Sequence, residues 1–126
     1  MIFSVTSTST VSNPKAAIAD ARKALSHRLF VNGWLLREHL VDITNMEITA
    51  DIALAYNENQ VPIGVAITRK DSGFTMVFVR KKYRKQGVGT ALVMRLKKEN
   101  PRTCLWFSEG INGSMKFAQK VNCRCC

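Results

Sequence analysis

The sequence predicts an α/β domain, a mixed and mainly antiparallel sheet flanked by helices, in the order β-α-α-β-β-β-α-β-α. Three observations predict it. Apolar residues recur with period two from residue 48 to residue 79, broken only by two polar turns. Helical spacing of three and four lies on both sides of that stretch. The chain is 126 residues with 46% hydrophobic and 22% charged side chains, which suits one compact domain over residues 1–126 and excludes collagen-like, coiled-coil and disordered chains. A domain of this size buries about two thirds of the surface of its unfolded chain, so no disulfide or structural metal is required.

Residues 2–6 suit a first strand in a Ser/Thr-rich start. Asn13 followed by Pro14 is a cap and a first helical position, and Ile18, Ala21, Leu25 and Leu29 continue as one apolar stripe to about Asn32-Gly33. A second, shorter helix runs from Trp34 to about Asp42, with Leu36, Leu40 and Ile43 on one side. The period then becomes two. Ile48, Ala50, Ile52, Leu54 and Tyr56 alternate with Thr49, Asp51, Ala53 and Ala55; Val61 to Ile67 form the next strand; Phe74 to Val79 follow after Asp71-Ser72-Gly73. These three strands read as a meander. Val88, Leu92 and Leu96 return to helical spacing over 87–99, and Asn100-Pro101 stops that helix. Cys104 to Phe107 reads as a buried strand, and Met115, Ala118 and Val121 mark a last helix to about residue 121.

The net charge of +10 is unevenly placed: residues 1–58 sum to −1 and residues 59–126 to +11. Residues 80–102 hold nine Lys and Arg against Glu99 alone, which points to a polyanion or a phosphorylated ligand, with a solvated, solubilising face as the plain alternative. The N-terminus lacks the pattern of a signal peptide and no apolar run reaches a membrane-spanning length, so a cytoplasmic protein without a membrane partner is expected. Cys123, Cys125 and Cys126 are too tightly spaced for zinc pairing and no His lies nearby, so free thiols and no metal are expected.

Chemistry concentrates where the strand ending at Val79 passes through a basic turn into Arg84-Lys85-Gln86-Gly87-Val88-Gly89-Thr90 and a helix. Glycines let the backbone approach a ligand, the first helical N–H groups have no partner in the helix, and the macrodipole favours an anion there. A Walker loop would need Gly-Lys-Ser/Thr at its end, and a dinucleotide fingerprint a third glycine where Leu92 stands. Neither fits. The run VFVRKKYRKQGVGTALV closely resembles the cofactor motif of the GNAT superfamily of acyl-CoA-dependent N-acetyltransferases, Arg/Gln-x-x-Gly-x-Gly/Ala. Asn112 to Lys120 is similar to that family's Asn-x-x-Ala/Ser-x-x-Phe-Tyr-x-Lys helix, and the likeness spans about residues 48–121.

The resemblance implies a GNAT-like acyl-CoA-binding domain. Backbone N–H groups of Lys85, Gln86, Gly87, Val88, Gly89 and Thr90 would hold the pyrophosphate of acetyl-CoA, with Arg84 adding charge. Val77, Phe78 and Val79 would line the pantetheine arm, the backbones of Val77 and Val79 pairing with it as an added strand would. Asn112 would hydrogen-bond the same arm. Two departures stand out: Ala118 replaces the tyrosine that often protonates the leaving thiolate, and family members carry two further strands after the last helix. A C-terminally truncated fold is therefore expected, its acceptor side open, completed in a homodimer, or unused.

Transfer to an amine needs a base, an oxyanion donor and often an acid. Glu109 and Ser108, at the end of the fifth strand, are the catalytic candidates, the plain reading of Glu109 being a charge at a helix start. His39 is a candidate base on the acceptor side, against a packed or solvated histidine; Tyr56, Trp106 and Phe107 read as core. Three function classes follow. The first is an N-acetyltransferase acting on an amine of a small molecule or a protein. The second is a catalytically silent CoA-binding or protein-interaction module, since small basic members of this kind resemble those of compact genomes such as phages. The third, nucleic-acid binding, ranks last because Tyr83 is the sole aromatic in the basic cluster.

Overall fold

The computed structural model of the chain describes residues 2–27, 34–105 and 124–125. Its elements are β1 (Ser4–Ser9), α1 (Pro14–Ser26), α2 (Trp34–Thr44), β2 (Ala50–Tyr56), β3 (Pro62–Arg69), β4 (Phe74–Val79), α3 (Val88–Glu99), β5 (Cys104–Leu105) and β6 (Arg124–Cys125). The described strands form one sheet in sequence order: β1 to β4 pair antiparallel, and β4, β5 and β6 pair parallel. The class expected from the sequence, a mainly antiparallel mixed sheet flanked by helices, is the one observed.

The alternation in β2 and β3 sorts side chains between two covered faces, which is why every residue of β2 is buried. Ile52, Leu54, Tyr56, Val65, Ile67 and Met76 meet α1 and α2 on one face. Ala53, Ala55 and Ala66 meet Val88, Leu92 and Leu96 of α3 on the other. Burial of each of those leucines contributes roughly 1.5–3 kcal/mol. Small residues under α3 bring the helix close: a Cβ built on Gly64 would stand 3.1 Å from Leu92, 3.2 Å from Val88 and 3.2 Å from the Phe78 carbonyl oxygen. A buried polar row crosses the sheet beside this contact. Ser9, Asp51, Thr68 and Thr75 face one another in register. The Thr68 and Thr75 hydroxyls lie 2.7 Å apart, and the fully buried Asp51 carboxylate meets Lys70 Nζ at 3.1 Å.

Several boundaries differ from the sequence-based expectation. β1 extends to Ser9 because Thr6 and Thr8 suit a strand and pair with β2 as far as Asp51. α1 starts as expected, the Asn13 side chain accepting the Ala16 N–H at 3.2 Å, yet it ends at Ser26, where the His27 N–H closes onto the Lys23 and Leu25 carbonyls. Its buried side is Ala17, Ala21 and Ala24, the small residues that permit close packing on β2 and α2, rather than the larger Ile18 and Leu25. The expected continuation of the fifth strand to Phe107 and the last helix lie outside the described residues. One short element is added to the expected order: Arg124–Cys125 pairs with the open edge of β5, in register Cys104↔Arg124 and Leu105↔Cys125. Cys104, which the sequence places only in an apolar run, is disulfide-bonded. The pairing of β6 with β5 carries the cysteine-rich segment to the strand that holds Cys104.

Candidate functional site

Antiparallel pairing fixes which way the β4 backbone points. The Arg80 N–H donates to the Ile63 carbonyl at 2.9 Å, so Arg80, Phe78 and Met76 turn their peptide groups toward β3, and Val79 and Val77 turn theirs toward the β5 side. The described ladder to β5 engages only Phe74 and Thr75. Among the described residues, Val77 and the Val79 N–H therefore present main-chain groups without a strand partner. The Val79 carbonyl accepts from Arg84 Nε at 2.8 Å, and the Arg84 guanidinium lies 5.6 Å from the Phe78 ring. Arg84 is thus anchored to the strand end, and Phe78 packs against the α1/α2 core.

A single 3₁₀ turn, Lys81–Tyr83, follows β4. The chain then passes through two left-handed positions, Lys85 at φ 63° and Gly87 at φ 87°, before α3. Lysine adopts that region at a cost of roughly 1–2 kcal/mol. Gly87 occupies the N-cap without a side chain to cap the helix, and the first helical bond described is Ala91 N–H to the Gly87 carbonyl at 3.0 Å. The N–H groups of Val88, Gly89 and Thr90 consequently lack an intrahelical acceptor. A Cβ at Gly87 would meet nothing within 4 Å, so the space before these donors is open. No acidic residue lies in the first turn of α3, and Lys81, Lys82, Arg84 and Lys85 are exposed around it. Gln86 Nε2 donates to the Lys82 carbonyl at 3.2 Å and braces the turn. A basic, solvated face alone would not need an uncapped helix start opening onto free space. This one has both, and each N-terminal charge contact there is worth roughly 0.3–1 kcal/mol from the macrodipole.

The structure brings together Val77, Phe78, Val79 and the run from Arg84 to Thr90, at the end of β4 and the start of α3. Ser108, Glu109, Asn112, Trp106, Phe107 and Ala118 lie outside the described residues. Tyr56 is buried in the core, with Lys23 Nζ 5.5 Å from its ring centre. His39, on α2, is half-buried and stacks on Phe74 with ring centres 6.3 Å apart. Burial lowers its pKa below 6.5, Arg69 adds to the effect, and Asp42 and Glu38 oppose it. Its Nδ1 is buried without a hydrogen-bond partner among the described residues, so the ring is neutral near pH 7 and can accept a proton. One contact is invisible to sequence reasoning: Arg80, counted there only as a cation, donates to the His27 carbonyl at 2.7 Å and ties the end of β4 to the end of α1. A contact across this sequence separation leaves no local signal.

A family model described as an acetyltransferase (GNAT) domain matches residues 38–104. No curated protein sequence matches the chain. Among solved structures, a GNAT-family acetyltransferase from Streptococcus pneumoniae aligns over 96% of this chain and 86% of its own, with a TM-score of 0.64 at 15% identity. An N-acetyltransferase from Staphylococcus aureus aligns over 97% of this chain and 83% of its own, with a TM-score of 0.58 at 16% identity. The yncA protein of Salmonella typhimurium, solved with its cofactor acetyl-CoA, aligns over 96% and 79%, with a TM-score of 0.57 at 16% identity. At these identities the likeness is one of fold.

Proposed function

The chain belongs to the GNAT acetyltransferase domain family, and from that premise we propose that it is an N-acetyltransferase that uses acetyl-CoA to acetylate an amine of a small molecule or of a protein. The observation that carries the reading is the start of α3. Uncapped N–H groups of Val88, Gly89 and Thr90 open onto free space beside Gly87, among exposed cations. That arrangement fits a pyrophosphate, because oriented donors and positive charge converge on one volume. Bound acetyl-CoA supplies a thioester activated toward attack by an amine.

The chain's own residues then have distinct tasks. The turn from Lys85 to Thr90 binds the phosphates, and Lys81, Lys82 and Arg84 neutralise charge around it. The outward main-chain groups of Val77 and the Val79 N–H would align the pantetheine arm as a further strand would. Asn112 hydrogen-bonds the same arm. Glu109 takes the proton of the acceptor amine and Ser108 donates one toward the leaving sulfur. His39 is a second candidate base, because burial keeps its ring unprotonated near pH 7 and its Nδ1 has no hydrogen-bond partner among the described residues. Ala118, which has no proton to give, favours a second reading: a CoA-binding module that acts through contact with another protein.

Thiol release from acetyl-CoA across a panel of amines, peptides and cell extract tests the proposal. The enzyme reading expects release that Glu109→Gln or His39→Gln reduces by about 10²–10⁴, the usual scale of general acid–base catalysis. It also expects Ala118→Tyr to raise turnover. Binding of CoA without transfer to any acceptor, with all three substitutions silent, would favour the module.

A further inference from the structure

β1 is an edge strand: it pairs with β2 and with no other described strand. The Thr10 N–H donates to the Ala50 carbonyl, which sets the phase of the ladder; Ser4, Thr6 and Thr8 bond inward, while Val5 and Ser7 direct their N–H and C=O groups outward. Beside this edge runs an open groove of about 590 Å³ between β1 and the flank of α3, lined by Val5, Ala91, Met94, Arg95, Lys97 and Lys98. Its floor is apolar, with Met94 49% exposed. Its wall is cationic. Arg95 uses only Nε locally, donating to Ser7 Oγ at 3.0 Å, and Lys98 has no ion-pair partner among the described residues. Among the described residues Glu99 carries an opposing charge nearby, accepting from Ser7 Oγ at 3.1 Å.

We propose that the free edge of β1 and this groove together bind an acidic, extended peptide segment of a partner protein, which joins the sheet as an added strand. Each feature selects one property of the occupant. Outward amides and carbonyls at two-residue spacing call for another extended backbone. Side chains of such a strand alternate, so those on the α3 side arrive about 7 Å apart, which suits carboxylates reaching Arg95 and Lys98, one helical turn apart. Val5, Ala91 and Met94 accept an apolar side chain between them. A second copy of this chain fits poorly, because antiparallel β1 edges would set the Arg95 and Lys98 of each copy against those of the other. Nucleic acid would satisfy the cations and leave the strand edge and the apolar floor unused.

The test measures fluorescence anisotropy of a dye-labelled peptide, Thr-Val-Thr-Glu-Thr-Glu-Thr, whose two Glu share a face at two-residue spacing, titrated with the full chain. Saturable binding is expected. It should weaken at least about tenfold when the peptide amides that face the edge are N-methylated, because the ladder is lost while the charge is kept. Replacement of both Glu by Lys should abolish it, as should the double variant R95E/K98E on exposed positions of the protein. The N-methylated peptide uses unaltered protein, so the test stands even if the variant misfolds. No binding up to about 1 mM, or equal binding of the N-methylated peptide, would overturn the proposal. So would an oligothymidylate that binds with R95E/K98E sensitivity where the peptide does not, since the groove would then serve nucleic acid.

Discussion

Gly64→Ala probes how the sheet positions the start of α3, where phosphate binding is proposed. The new Cβ would sit 3.1 Å from Leu92, 3.2 Å from Val88 and 3.2 Å from the Phe78 carbonyl oxygen, where ordinary contacts begin at 3.4 Å. Leu92 and Val88 are buried, so neither side chain can swing into solvent, and the Phe78 oxygen belongs to the sheet backbone. The relief available is a shift of α3 away from β3 by a few tenths of an ångström. Overpacking of this kind costs roughly 1–3 kcal/mol, and the lost freedom of glycine in the unfolded chain returns about 0.4–1 kcal/mol. The net destabilisation is about 0.5–2 kcal/mol, or roughly 2–10 °C in Tm for a domain of this size. Val88 opens α3, so the shift also moves the N–H groups offered to a phosphate. Circular-dichroism melting should show the loss in Tm, and calorimetry should show weaker CoA binding. An unchanged or raised Tm would refute the reasoning, because it would mean that the gap between α3 and the sheet has slack.

Lys70→Ala strands the fully buried carboxylate of Asp51. Breaking a buried pair costs about 3–5 kcal/mol, and because the Lys70 side chain is 35% exposed the expected loss is nearer about 2–3 kcal/mol in urea unfolding at pH 7; a negligible shift would contradict the pairing. His39 titrates below 6.5 in the fold, so the unfolded chain takes up that proton first. Its contribution is fully present above about pH 6.5 and is lost as the pH falls below it, and His39→Phe should flatten that part of the stability profile. An unchanged slope would remove His39 as its source. Burial raises Asp20 instead, and its effect lies in the separate acid range above 3.8. Alkylation of the denatured, unreduced chain should label no more than two of the four cysteines, and four labelled thiols would contradict the Cys104 disulfide.

The meander and α3 were legible because period two recurs in each strand between Ala50 and Val79 and period four in Val88, Leu92 and Leu96, and Asn13-Pro14 marked the start of α1 through cap chemistry that acts within four residues. The uncapped start of α3, proposed to hold phosphate, was legible for the same local reason: Gly87 supplies the left-handed turn and leaves the helix without a side-chain cap. What sequence could not give depends on distant partners. Asp51 looked like the polar side of a strand and is buried, because α3 covers that face. β6 is two residues whose strand state depends on the edge of β5. The C-terminus of α1 was misplaced because Leu29 continues the apolar stripe while the chain already turns at His27.

The proposed function requires that the start of α3 hold the phosphates of CoA. Calorimetric titration of CoA into the wild-type chain and into Gly89→Trp tests it, because the substitution adds bulk within the first turn of α3, whose N–H groups are the proposed donors. The account predicts saturable binding to the wild type and a loss of at least about 100-fold in the variant, with folding confirmed by its circular-dichroism spectrum. Equal affinity in a folded Gly89→Trp, or no binding of CoA to the wild type, would contradict it.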